Sequence, residues 1–334
     1  MRVRTVLSIL ASLALLVSLA PAVMAAEDTV SGSFTPANVT PTVSAVEIYS
    51  DAALTSVANS LTPQVMYFIK VTAADGNTIE DIDQIDVELF YDAAGADPAA
   101  PGAPNAQTAA NITWDKDGGG SEWVISAGSP TSWAITSANC SIPGAMTASS
   151  GDWVFAVTLG KVATESVGAA DWDLYARAND AGGSGEAYTR DKEVLWYGEI
   201  ATSASADFGS VAVGSGFADN TNEVTGISVN YITNGDYDQQ VKSGATWAGA
   251  TYTGNYDATG ATGSSQQFSL NAYISDTFAS RVQVDTTGAS IDATGTITSE
   301  TGNTVANNTL WLRVASVFAI DTYSGTITYI IADR

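Results

Sequence analysis

Histidine is absent from all 334 residues, and cysteine occurs once, at Cys140. Without histidine, Ser-His-Asp and Cys-His nucleophilic catalysis are excluded. So are the common histidine-containing zinc, copper and haem sites. With one cysteine there is no internal disulfide, so the fold must rest on its core, on bound cations or on assembly. Cys140 itself reads as a small buried apolar residue, with an intermolecular disulfide as the alternative. Basic side chains are scarce too: 12 Lys and Arg stand against 36 Asp and Glu, for a formal net charge of −24. A surface of that sign repels phosphate backbones and anionic lipid, so no nucleic-acid partner is expected. The acids are dispersed rather than blocked, which suits a solvated surface with some attraction for Ca²⁺. Beyond residue 26 no apolar run is long enough to cross a bilayer, so no transmembrane helix is expected there. Amphipathic helical periodicity is nearly missing as well.

The first 26 residues have their own pattern. Arg2 and Arg4 precede an apolar stretch from Val6 to Ala20, Pro21 breaks it, and Ala22–Ala26 supplies small residues. That order is the signature of a secretory signal peptide, with cleavage after Ala25 or Ala26. The expected address is therefore secreted, extracellular or cell-surface. An uncleaved anchor is the alternative, and the apolar run is somewhat short for it. Residues 27–42 read as an extended leader.

What the rest of the chain does contain is strand pattern. Val65-Tyr67-Ile69-Val71, Val87-Leu89-Tyr91, Trp153-Phe155-Val157-Leu159 and Trp172-Leu174-Ala176 each alternate with polar or small residues. Later come Ile227-Val229-Tyr231, Phe268-Leu270, Leu310-Leu312-Val314 and Ile327-Tyr329-Ile331. Alternation of period two buries one face of an antiparallel sheet and wets the other, and two such sheets stacked face to face satisfy both inner faces. The stretch from Asp92 to Ala110, with Pro98, Pro101, Gly102 and Pro104, reads as a long exposed loop. The Ala/Ser/Thr run 201–206 reads as a linker between domains at 43–200 and 207–334.

The two halves echo each other. Trp153–Leu159 followed by Trp172–Asp180 matches in pattern Leu310–Ala315 followed by Tyr323–Asp333. Each is a strand pair with aromatic residues at strand entry. The second half opens with Asp207–Gly216, Val224–Val229 and Gly235–Asp238. On these residues the chain resembles the immunoglobulin-like β-sandwich modules of prokaryotic secreted and cell-surface proteins. The resemblance implies an all-β fold of two tandem antiparallel sandwiches after the signal peptide. The cysteine pair of antibody domains is missing.

Carboxylates are the one catalytic or metal-binding group present in quantity. Glu80, Asp81, Asp83 and Asp86 crowd into seven positions, a pattern suited to Ca²⁺, which takes six to eight oxygens; the other reading is a solvated turn entering an edge strand. Asp115–Gly120 shares Asp-x-Asp-Gly with calcium loops but lacks the later ligands of an EF-hand, so a hairpin turn is expected there. Trp247, Tyr252 and Tyr256, set among small residues, are the candidate ligand-stacking surface, with core capping as the alternative. Asn38, Asn111, Asn139 and Asn307 begin Asn-x-Ser/Thr sequences, acceptors if the host glycosylates exported proteins.

Together these features predict a non-catalytic secreted or cell-surface protein with a structural or adhesive role, such as a self-assembling subunit of an envelope layer or filament. Its expected partners are further copies of itself or other surface proteins and glycans. A carbohydrate-binding protein is the second reading. A carboxylate-based glycoside hydrolase is the third, and no acidic pair in the sequence singles itself out for it.

Overall fold

A computed structural model describes residues 29–95, 102–119, 122–202 and 205–334. The signal-peptide assignment at 1–26 falls outside the described residues. Residues 29–37 belong to a separate unit and are exposed, without regular secondary structure. Asn38–Arg334 forms one compact unit.

The described chain is all-β. In order come Thr42–Tyr49 (β1), Ser60–Leu61 (β2), Met66–Ala74 (β3), Gln84–Asp92 (β4) and Ala109–Asp115 (β5). Trp123–Ser126 (β6), Ala134–Ile135 (β7), Ser150–Thr158 (β8), Asp171–Asp180 (β9) and Gly183–Val194 (β10) follow. Then come Gly198–Thr202 (β11), Glu223–Thr233 (β12), Tyr237–Ser243 (β13), Thr246–Ala248 (β14) and Thr253–Tyr256 (β15). Gln267–Tyr273 (β16), Val282–Gln283 (β17), Ala289–Gly295 (β18), Asn303–Val314 (β19) and Ile327–Asp333 (β20) complete the series. The only helical elements among the described residues are three single 3₁₀ turns.

Four sheets result. The first half stacks β1-β3-β8-β7 against β2-β10-β9-β4-β5-β6. The second half places β11-β12-β19-β16-β15-β14, with β17 also on β16, opposite β18-β13-β20. Pairing is antiparallel except at β2/β10 and β15/β16. Each half closes around its own apolar core, in a β-sandwich-like arrangement.

The period-two reading is visible in the burial. Along β3, Tyr67, Ile69, Val71 and Ala73 are buried and their neighbours half-buried. Trp153, Phe155, Val157 and Leu159 are fully buried, as are Trp172, Leu174 and Ala176. Trp153 packs on Trp114, and Trp172 on Trp133 and Tyr91, at centroid distances of 5.6, 6.0 and 5.8 Å. The second core joins Val229, Tyr231, Leu270 and Leu310 to Tyr237 and Val241 of the facing sheet. Val65 departs from the pattern: it precedes β3 and is exposed. Ile327, Tyr329 and Ile331 of β20 also depart, being only half-buried.

The two halves meet at a polar junction. Asn234, fully buried, donates through Nδ2 to the carbonyls of Ala163 (2.8 Å) and Leu195 (2.9 Å). Its Oδ1 accepts from the Tyr197 amide at 2.6 Å. Gln107 Nε2 donates to the Thr298 carbonyl, and Lys161 pairs with Glu199 at 2.8 Å. The 92–110 segment is therefore not wholly a free loop. Ala106 and Gln107 are half-buried, and Gln107 reaches the second half. Residues 201 and 202, read from sequence as linker, end strand β11, which pairs with β12; 203 and 204 lie outside the described residues.

Candidate functional site

A concavity lies in the second half, between its two sheets. One sheet contributes Phe268, Leu312 and Val314, and the other Ile327 and Tyr329. Two adjoining cavities of about 440 and 360 Å³ share Ala206, Asp207, Trp247 and Tyr323, so they form one continuous groove. Strand geometry explains why it stays open. β20 pairs with β13 on one side only, and β11 covers β12 only from Val229 to Thr233. Among the described residues, the β20 edge beside the groove is unpaired. Two donors of residues that line it, Trp247 Nε1 and the Tyr329 hydroxyl, are buried and have no hydrogen-bond partner among the described residues. Burial raises the Tyr329 phenol far above its ordinary range, so it stays a neutral donor at any physiological pH.

The three aromatic residues singled out from sequence take different places. Trp247 lies on β14 with 9% exposure, its ring 4.7 Å from Phe268 and 6.3 Å from Phe208. Tyr256, on β15, packs edge-on against Phe268 at 5.3 Å and donates its hydroxyl to the Val284 carbonyl at 2.7 Å. Only Tyr252 is well exposed, at 48%. The fold brings Trp247 and Tyr256 together on Phe268, Trp247 lining the groove and Tyr256 in the core behind it, and leaves Tyr252 exposed.

The four acidic residues do not act as one cluster. Glu80 and Asp81 sit in the 3₁₀ turn Ile79–Asp81, exposed, and Asp83 is exposed just before β4. Asp86, on β4, accepts from Arg177 (3.1 Å), Asn179 (2.8 Å) and Thr113 (3.2 Å). Among the described residues, one acidic trio offers oxygens within 4.8 Å of one another: Asp219, Glu223 and Asp276. Sequence reasoning missed it, since Asp276 is far away in the chain from the other two. Glu223 Oε2 there also accepts from Trp311 Nε1 at 2.9 Å.

Among the described residues, two carboxyls are raised. Glu88 is pushed up to about 7, chiefly by burial, with the negative Asp86 adding and the Gly102 amide opposing. Glu165, at the junction, is also pushed up to about 7, by burial first and then by Asp333 and Asp236. Of the four glycan acceptors, Asn38, Asn139 and Asn307 are exposed. Asn111 lies mid-strand on β5 with a buried Oδ1.

Neither a protein-family model nor a curated protein matches this chain.

Proposed function

We propose that this is a non-catalytic, secreted or cell-surface structural protein, built on tandem immunoglobulin-like sandwiches, that works by self-association. The observation that carries this reading is β20. It is an edge strand rich in Ile and Tyr, half-buried rather than covered, beside a groove. Soluble monomers blunt such edges with charge, proline or a covering loop, because an unpaired apolar strand edge is a template for another chain. Between Ile327 and Ala332 the strand carries neither charge nor proline. The absence of histidine and of any disulfide accords with a structural role.

The test is analytical ultracentrifugation and electron microscopy of the purified exported protein across a concentration series. Concentration-dependent oligomers or ordered filaments support the reading. A monomer at every concentration overturns it. A carbohydrate-binding role is the second reading, and what favours it is the half-buried Tyr175–Tyr188 pair, with ring centroids 4.8 Å apart. Saturable signal on a glycan array, abolished by replacing that pair with alanine, would establish it. A glycoside hydrolase remains the third reading, and loss of turnover in Glu88→Gln would be its mark.

A further inference from the structure

The first half buries a cation at a position facing its core. Lys192 is 2% exposed, and among the described residues it is the only buried Lys or Arg. A bulge in β10 puts it there. Ala187 packs on the first core and Thr189 donates to the Val46 carbonyl, so odd positions face inward up to that point. The pairing with β9 then slips by one residue between Thr189 and Lys192, and Asp191 takes a left-handed φ of 61°. An extra residue in a strand reverses its alternation. Lys192 and Val194 are therefore the buried ones beyond it. Val194 serves the core. A buried ammonium costs free energy even when it is paired, so packing does not account for a lysine at 192.

Two side chains meet its Nζ. Glu47, on β1, lies at 2.7 Å through Oε1, and Asn59, just before β2, lies at 3.3 Å through Oδ1. The backbone fixes Asn59 beside β10. Its carbonyl accepts from the Glu193 amide at 2.8 Å, and the Leu61 carbonyl accepts from the Leu195 amide at 2.8 Å. Asn59 Cγ is one C=O bond of ~1.23 Å from Oδ1, which bounds its distance from Nζ at roughly 4.5 Å. An amine held there is a short approach from the ~3–3.5 Å at which a nucleophile attacks a carbonyl carbon. Amine, carboxamide and carboxylate thus stand together, brought from three separate segments of the chain. Asn59 is an exposed residue, so a small product has a way out.

We propose that Lys192 and Asn59 become joined by an isopeptide bond within the folded chain, with Glu47 moving the protons. The lysine ammonium gives one proton to Glu47. The freed lone pair of Nζ bonds to Asn59 Cγ while the C=O pair moves onto oxygen. Glu47 hands its proton to Nδ2 and takes a second from Nζ. The oxygen pair returns, and the Cγ–Nδ2 bond breaks with its electrons on nitrogen. Ammonia leaves and carries the Glu47 proton away as ammonium. No oxidant takes part. The bond ties β10 to the segment before β2, 133 positions apart. It gives a covalent tie to a chain whose single cysteine forms no internal disulfide. It does not depend on self-association.

The test is mass spectrometry of the full exported chain, intact and after proteolysis, with circular dichroism to show that each variant is folded. Expected in the wild type is one linked species holding the peptides of Asn59 and Lys192, lighter than their sum by one ammonia. Lys192→Met, Asn59→Ala and Glu47→Gln should each give the two peptides separately. Asn59→Ala alters an exposed residue and Glu47→Gln keeps the side-chain shape, so these two stay informative if Lys192→Met fails to fold. Separate peptides from folded wild-type chain, after prolonged incubation at neutral pH, overturn the bond. Asn59 precedes Ser60 and can also lose ammonia by closing on its own backbone. Ammonia loss without a linked species, or loss that persists in Lys192→Met, assigns it to that cyclisation and overturns the bond. A link that forms as fully in Glu47→Gln upholds the bond and overturns the role of Glu47.

Discussion

Asn234→Ala is the sharpest probe of how the two halves cooperate. Asn234 is fully buried, and its side chain makes three hydrogen bonds at 2.6–2.9 Å, to Ala163, Leu195 and Tyr197. Alanine removes all three and leaves two carbonyls and one amide facing an apolar methyl. Each lost bond is worth about 0.5–1.5 kcal/mol net, and each group left buried and unsatisfied costs about 1–3 kcal/mol. Water entering the vacated space would satisfy some of these, which puts the expected loss at about 3–5 kcal/mol. For a chain of this size a kilocalorie moves the midpoint by about 2–4 °C, so a fall of at least 6 °C is expected. Because the lost bonds span residues on both sides of the junction, unfolding should also separate into two steps. The assay is urea denaturation followed in parallel by tryptophan fluorescence and far-ultraviolet circular dichroism, with calorimetry for the midpoints. Asn234→Asp is the companion variant: it keeps the acceptor for Tyr197 but turns the Nδ2 donor into an oxygen facing two carbonyls, so it should be no less damaging. A loss under 1 kcal/mol with a single unchanged transition would refute the assignment of Asn234 as the tie between the halves.

Glu88 and Glu165 have folded-state values raised to about 7 from 4.5, so the folded protein holds their protons over a range where the unfolded chain has released them. Their stabilising contribution is therefore full below about pH 4.5 and is lost as pH rises to about 7. Thermal melts of Glu88→Gln and Glu165→Gln should show a flatter pH dependence across that window, and a slope equal to wild type would count against the burial of both groups. Millimolar Ca²⁺ should raise the melting temperature above that in NaCl of equal ionic strength, by an amount equivalent to about 2.7 kcal/mol at a hundredfold excess over Kd. Comparing Asp81→Asn/Asp83→Asn with Asp219→Asn/Glu223→Gln identifies which acids bind it, and equal melts in both salts would leave the acids as solvated surface. Edman sequencing of exported protein should begin at Ala26 or Glu27; an intact Met1 in the envelope fraction would contradict cleavage.

Much of the architecture was legible from residue order alone. Alternation along Tyr67–Val71, Trp153–Leu159 and Trp172–Ala176 determined which faces are buried, because a strand places every second side chain on one side whatever its partners are. The absent histidine and disulfide followed from composition and needed no coordinates. The all-β class followed from the same period, repeated with turn residues between. Tertiary structure decided what is non-local. Trp247 looked like a loop aromatic because its neighbours are small. Its floor position depends on Phe208 and Phe268, the latter 21 residues on, and no local pattern encodes that contact. Glu80, Asp81, Asp83 and Asp86 are close in sequence, yet successive residues of a turn and strand point apart, and Asp86 is taken by Arg177 and Asn179 across the sheet. Asp219, Glu223 and Asp276 converge only because the fold folds back on itself between them. The half-covered β20 was the least legible feature. Ile327, Tyr329 and Ile331 carry the same alternation as a core strand and pack on the second core, and only the sheet order, which gives β20 a single neighbour among the described residues, leaves its outer edge unpaired.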